Sequence, residues 1–158
     1  VSRLNDCVGG VTVTVDDDMT AVDPSFVKGT TVTLLGDKAL EYVRARGAME
    51  DSSNLARMER QKKYLAAFVE KLADMNVTDT FLLSAYAQIA EYSVTNCDTS
   101  FISALSRKIG TYSYAGAISP KGDAQVGEKY MEFHADEEDL INILIELFYD
   151  RTQEPTEN

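Results

Sequence analysis

The run GGVTVTV, residues 9–15, constrains this chain more than any other stretch. Val11, Val13 and Val15 alternate with Thr12 and Thr14, so one face of an extended segment is apolar and the other polar. That period of two predicts a half-buried strand over Val11 to Val15, and it is incompatible with an amphipathic helix. Gly9-Gly10 supplies a turn ahead of it, and the preceding VSRLNDCVGG reads as the end of a helix running into that turn. A chain that opens on a helix end, a turn and a strand begins in mid-domain, so we expect an amino-terminally truncated piece of a larger unit, with any leader or anchor removed.

The pattern changes several times downstream. DDDM and Asp23-Pro24 break the strand, and KGTTVTLLGD is a loop carrying a weak extended piece at Thr31 to Leu34. Asp37 is the expected N-cap of a short helix, KALEYVRA, that closes near Arg46-Gly47. The polar connection GAMEDSSN then leads, with Ser53 or Asn54 as cap, into a long helix from about Leu55 to Asp74. Within it Leu55, Met58, Leu65, Val69 and Leu72 form one stripe, and Arg57, Gln61, Tyr64 and Phe68 a neighbouring one. Two short helices follow, TFLLSAYAQIAEY capped by Asp79 and SFISALSRKI capped by Asp98 or Thr99 and ended by Gly110. TYSYAGAIS and KYMEFHA alternate like partner strands joined through GDAQVGE, and DEEDLINILIELFYD is an amphipathic helix with acids in its first turn.

This order implies an α/β class: a small mixed sheet covered by helices, part of an α/β/α domain whose other strands lie upstream. At 158 residues and 44% hydrophobic content, residues 1–150 suffice for one packed unit, with 151–158 a polar tail. The formal net charge of -11 argues against nucleic acid, whose phosphates demand excess Lys and Arg. No apolar run is long enough to cross a bilayer. Cys7 and Cys97 are compatible with a disulfide or with two thiols.

Against that acidic background, EYVRARGAMEDSSNLARMERQKKY, residues 41–64, gathers Arg44, Arg46, Arg57, Arg60, Lys62 and Lys63. Arg57 and Gln61 are one helical turn apart and project the same way, a guanidinium fork beside a neutral amide donor. The spacing of Arg44 and Arg46 leaves their directions open. Glu41, Glu50, Asp51 and Glu59 could balance the cluster as surface ion pairs of little energetic weight. The continuation of the Arg57 stripe into Tyr64 and Phe68 instead suits an amphiphile with a phosphorylated head.

GGVTVTV, LLGDKALEYVRAR and NLARMERQ, in this order, resemble the carboxy-terminal half of the LytR-CpsA-Psr family domain. Its pattern appears here as Gly9-Gly10-Val11, Leu35-Gly36 with Ala39-Leu40 and Tyr42, Arg44 and Arg46, and Arg57, Arg60 and Gln61. The match is close over the first half of the chain and looser after Ala73. The resemblance implies a membrane-anchored bacterial protein, mainly Gram-positive, whose domain lies on the extracellular face of the cytoplasmic membrane. The anchor is not in this chain. It implies a phosphotransferase that moves glycopolymers such as teichoic acid or capsular polysaccharide from a polyprenyl pyrophosphate carrier onto a peptidoglycan acceptor. Arg44, Arg46 and Arg57 become the catalytic residues and, with Gln61, the pyrophosphate ligands; Leu65, Phe68 and Val69 are candidates for the lipid groove or for plain core. The family's Mg²⁺ would take acidic ligands upstream of Val1, so this chain alone is expected to be inactive. Three residues before Arg57 the family's acid is replaced by Asn54, which can cap a helix but cannot serve as a carboxylate base; Asp51 is the alternative carboxylate. The rival expectation is a non-catalytic envelope module that holds an anionic lipid or polymer, in line with the family's older label of transcriptional attenuator.

The remaining polar features are bland. His134 is the sole histidine and lacks metal-ligand spacing. Asp16, Asp17 and Asp18 lack the Gly and Glu of a calcium loop and read as a solvated turn. Arg60, placed off the Arg57 stripe, is expected to pair with a carboxylate or face solvent, and Lys62 and Lys63 to be ordinary surface residues.

Overall fold

The computed structural model describes residues 1–46, 54–75, 78–109 and 113–149, apart from the side chains of Asp79, Ser106 and Ile109. The described chain forms two compact units, Val1–Gly116 and Ala117–Asn158. The loop acids Glu50 and Asp51, the cap candidate Ser53, the helix terminators Gly47 and Gly110, and the tail 151–158 lie outside the described residues.

In the first unit helix α1 (Ser2–Cys7) leads through Gly9 and Gly10 into strand β1 (Val11–Thr14). The expected alternation holds: Val11 and Val13 are buried and Thr12 and Thr14 exposed. β1 pairs antiparallel with β2 (Thr31–Leu34), Val11 opposite Leu34 and Val13 opposite Val32, so the weak extended piece is a strand because it completes this pair. On the outer face Thr12 and Thr33 meet hydroxyl to hydroxyl at 3.0 Å, a cross-strand contact that fixes the same register. Gly10 takes φ +89°, and a Cβ there would lie 2.7 Å from the Leu34 carbonyl oxygen, so the turn admits only glycine.

Helix α2 (Asp37–Arg44) starts from Gly36 rather than from an Asp37 cap; Asp37 falls in its first turn, where a carboxylate suits the helix dipole. The core assembles on the inner face of β1 and β2 from Val8, Val11, Val13, Val15, Met19, Phe26, Leu34, Ala39, Tyr42 and Val43. Phe26 and Tyr42 meet edge to face with centroids 5.8 Å apart. Helix α3 (Asn54–Asp74) packs over β1 and α2. It turns Tyr64, Ala67, Phe68 and Leu72 to the core, so of the apolar stripe expected through Leu55, Met58, Leu65, Val69 and Leu72 the last packs there as expected while the rest is displaced: Leu55 is 46% and Leu65 43% exposed. Both stripes carry apolar residues, and the surface available on β1 decides between them.

Helix α4 (Asp79–Ala90) is capped by Thr78, whose hydroxyl accepts from the Phe81 amide, one residue earlier than expected. Helix α5 (Thr99–Ile109) is preceded by Asp98, whose Oδ1 accepts from the Phe101 amide at 2.8 Å. Cys7 and Cys97 are free thiols.

The second unit holds β3 (Gly122–Val126), β4 (Met131–Ala135) and α6 (Glu137–Phe148). The expected strand TYSYAGAIS is corrected here: its described residues 113–119 are not extended into a strand, and GDAQV, read as a connection, pairs antiparallel with MEFHA. A four-residue connection closed by the Gly127 amide on the Tyr130 carbonyl at 2.9 Å makes the nearer segment the easier partner. Asp136 caps α6 by accepting from the Asp139 amide. The α/β class therefore holds, with its described strands arranged as two antiparallel pairs.

Candidate functional site

The site-bearing segment begins where α2 ends. Arg44 is the last helical residue, and Ala45 turns extended with φ −47° and ψ 133°. Ala45 is buried while Arg44 and Arg46 on either side are exposed. The chain thus leaves the helix in an extended step that buries Ala45 and brings a guanidinium-bearing residue to the surface on either side of it.

Helix α3 supplies the other half. Gln61 donates from Nε2 to the Val43 carbonyl at 3.0 Å, and Arg60 donates from Nη2 to the Ala45 carbonyl at 2.6 Å. Two carbonyls at the C-terminal end of α2, an end that always leaves acceptors without intrahelical donors, are thus taken by α3. Arg57 is half-buried and donates from Nη2 to Asn54 Oδ1.

Arg60 is the residue that sequence reasoning misplaced. It is 2% exposed, donates to a backbone carbonyl, and has no carboxylate partner among the described residues. It lies four residues before Tyr64 and seven before Ala67, on the face that packs inward; counting from the inward stripe rather than from Arg57 would have found it. Removing a guanidinium from water without a counter-charge costs on the order of several kcal/mol. Nε and Nη1 of Arg60, Nε of Arg57 and the Tyr42 hydroxyl are buried without hydrogen-bond partners among the described residues. Burial, joined by the charge of Asp16, pushes the Tyr42 phenol up to about 12, while the Arg60 charge opposes that rise.

Of the acids that could balance the arginines, Glu50 and Asp51 lie outside the described residues, and neither Glu41 nor Glu59 pairs with an arginine among the described residues. Glu59 pairs instead with Lys62 at 2.9 Å, and Lys63 bridges from α3 to Asp16. Arg44 and Arg46 have no hydrogen-bond or ion-pair partner among the described residues. Of the groove candidates, Phe68 packs on the core, Val69 is half-buried and Leu65 is exposed. His134 sits on β4, 3.6 Å from Glu132. Asp18 accepts from the Thr20 amide, which holds its carboxyl below the usual range. Among the described residues no group of three or more His, Cys, Asp or Glu is placed to hold a metal ion, and no helix is long and apolar enough to cross a membrane.

The model of the LytR_cpsA_psr family matches residues 2–144. The Lin1025 protein from Listeria innocua is 26% identical with a TM-score of 0.57, over 92% of this chain and 61% of that one. B. subtilis TagU is 25% identical with a TM-score of 0.57, covering 98% of this chain and 63% of that chain. B. subtilis TagV, at 22% identity and a TM-score of 0.66 over 90% of this chain and 56% of its own, shares the fold. The chain thus spans about three fifths of the length of Lin1025 and of TagU. Among curated proteins none matches.

Proposed function

Because this chain belongs to the LytR_cpsA_psr family, we propose that it forms the pyrophosphate-gripping part of a cell-envelope glycopolymer transferase. In this reading the complete protein moves a glycan from a polyprenyl pyrophosphate carrier to peptidoglycan on the outer side of the cytoplasmic membrane. Arg44, Arg46 and Arg57 hold the diphosphate, with the free N–H of Gln61 as a neutral donor. The observation that carries the reading is the pair of exposed arginines, Arg44 and Arg46, flanking buried Ala45 on a step tied by α3 and without carboxylate partners among the described residues.

The chemistry follows from charge. In a phosphotransfer the acceptor hydroxyl gives up its proton and bonds to the glycan's phosphate as the P–O bond to the carrier's phosphate breaks, and guanidinium groups already fixed in place stabilise the charge that gathers on the departing polyprenyl phosphate more than they stabilise the ground state. Phe68 and Val69 offer little free apolar surface, so Leu65 is the residue of the three best exposed to a polyprenyl chain. The Mg²⁺ implied by the family would neutralise phosphate charge; the described residues offer no carboxylate cluster for it, and its ligands are assigned to the part of the protein outside this chain.

A second reading is favoured by one observation: Arg57 is engaged by a neutral amide, Asn54, where a carboxylate base would stand. A binding module that retains the anionic lipid without turnover fits that arrangement. Thermal melting of the complete protein with a polyprenyl pyrophosphate and Mg²⁺ tests the shared core: the ligand should raise the wild-type Tm and leave Arg57→Ala nearly unmoved. Equal stabilisation of both removes Arg57 from the site. Release of polyprenyl phosphate in the presence of acceptor separates a phosphotransferase from a binder.

A further inference from the structure

We propose that Arg60 is a positioning residue for Arg44 and Arg46, and that its buried charge is part of the anion site although it need not touch the anion. The inference rests on the reading of those arginines given above.

Its first support is geometric. Fixing the Ala45 carbonyl fixes the plane of the Ala45–Arg46 peptide, because carbonyl and following amide are rigidly joined. Arg60 does this at 2.6 Å, in the core. Gln61 fixes the Val43 carbonyl at 3.0 Å, one peptide before Arg44. The peptides immediately before Arg44 and immediately before Arg46 are therefore held from α3, so the two exposed guanidinium groups start from a tethered backbone.

The second support is the choice of residue. Gln61 makes an equivalent tie with a neutral amide, so holding a carbonyl does not require a charge. Arg60 adds a full positive charge at 2% exposure with no carboxylate partner among the described residues, and leaves Nε and Nη1 without acceptors there. Such a group is unfavourable in the unliganded protein and becomes less so when an anion arrives nearby. Stability and affinity are therefore opposed at this position, which a purely structural arginine would not produce.

The test compares Arg60→Met and Arg60→Lys with wild type in the complete protein, by ligand-free melting, by calorimetric titration with inorganic pyrophosphate, and by hydrogen exchange of residues 43–46. The Met side chain should leave the ligand-free Tm equal or higher, weaken pyrophosphate binding more than tenfold and speed exchange of those amides. Lys, which offers a point charge instead of a planar fork, should weaken binding three- to tenfold, and it decides the matter if the Met variant fails to fold. Affinities within twofold of wild type, or unchanged exchange at 43–46, overturn the proposal. A wild type that does not bind pyrophosphate would remove the function proposed above, while the exchange comparison still decides whether Arg60 orders the segment.

Discussion

The Tyr64 hydroxyl donates to Asn5 Oδ1 at 3.1 Å, and the same buried Asn5 donates from Nδ2 to the Leu34 carbonyl at 2.7 Å. One amide thereby joins α3, α1 and the end of β2. Removing it strands a carbonyl and a phenol in the interior, and stranded buried groups cost about 1–3 kcal/mol each. Asn5→Ala should destabilise by roughly 2–3 kcal/mol and Tyr64→Phe by about 1 kcal/mol. Denaturant unfolding of both and of the double variant should show coupling; strict additivity would mean the bond is not made.

Tyr42 behaves differently because its hydroxyl has no partner among the described residues. Tyr42→Phe discards a desolvated polar group while keeping the ring against Phe26, so stability should stay equal or rise by up to about 1 kcal/mol.

The same phenol makes the fold sensitive to alkali. Its value of about 12 in the folded chain exceeds the ordinary 10, so the folded state keeps a proton that the unfolded state releases. The associated stability is complete below pH 10 and is lost as pH climbs to 12, on the order of 2–3 kcal/mol for Tyr42. Tyr64, also raised to about 12 by burial, adds to the loss with the same sign. Chemical denaturation at pH 9 and pH 11.5 should show a smaller loss for Tyr42→Phe than for wild type.

Two glycines separate backbone strain from crowding. Gly29→Ala meets nothing within 4 Å and bears only the strain of φ +80°, about 1 kcal/mol. Gly10→Ala adds the 2.7 Å clash with the Leu34 carbonyl and should cost roughly 3 kcal/mol or more. Equal midpoints in urea would show that the turn relaxes.

Arg44→Ala and Arg46→Ala remove exposed groups with no partner among the described residues. Each should change stability by less than about 0.5 kcal/mol and weaken pyrophosphate binding, with losses that shrink as salt screens the site. Titrations at two ionic strengths, alongside melting curves, check both halves.

Much of the local structure is legible in the residues themselves. The Val–Thr alternation of 11–15, the acids at the start of α6 and the helical spacing of 55–74 each express a period or a cap that depends on near neighbours in sequence. The positions of Arg44, Arg46, Arg57 and Gln61 on a helix end and a facing helix follow from the same rules. The β3–β4 pair was less legible, because GDAQV carries turn residues and becomes a strand only by having MEFHA four residues away.

Sequence alone determined the elements, the acidic background and the concentration of guanidinium groups between residues 44 and 60. Which side of α3 faces inward was decided only in three dimensions, since Leu65 and Val69 compete with Tyr64 and Phe68 for burial at nearly the same helical spacing. Packing against β1 and α2 chose the latter, and that rotation carried Arg60 under Ala45. Its burial is a consequence of which surface lay opposite, a quantity no local pattern contains.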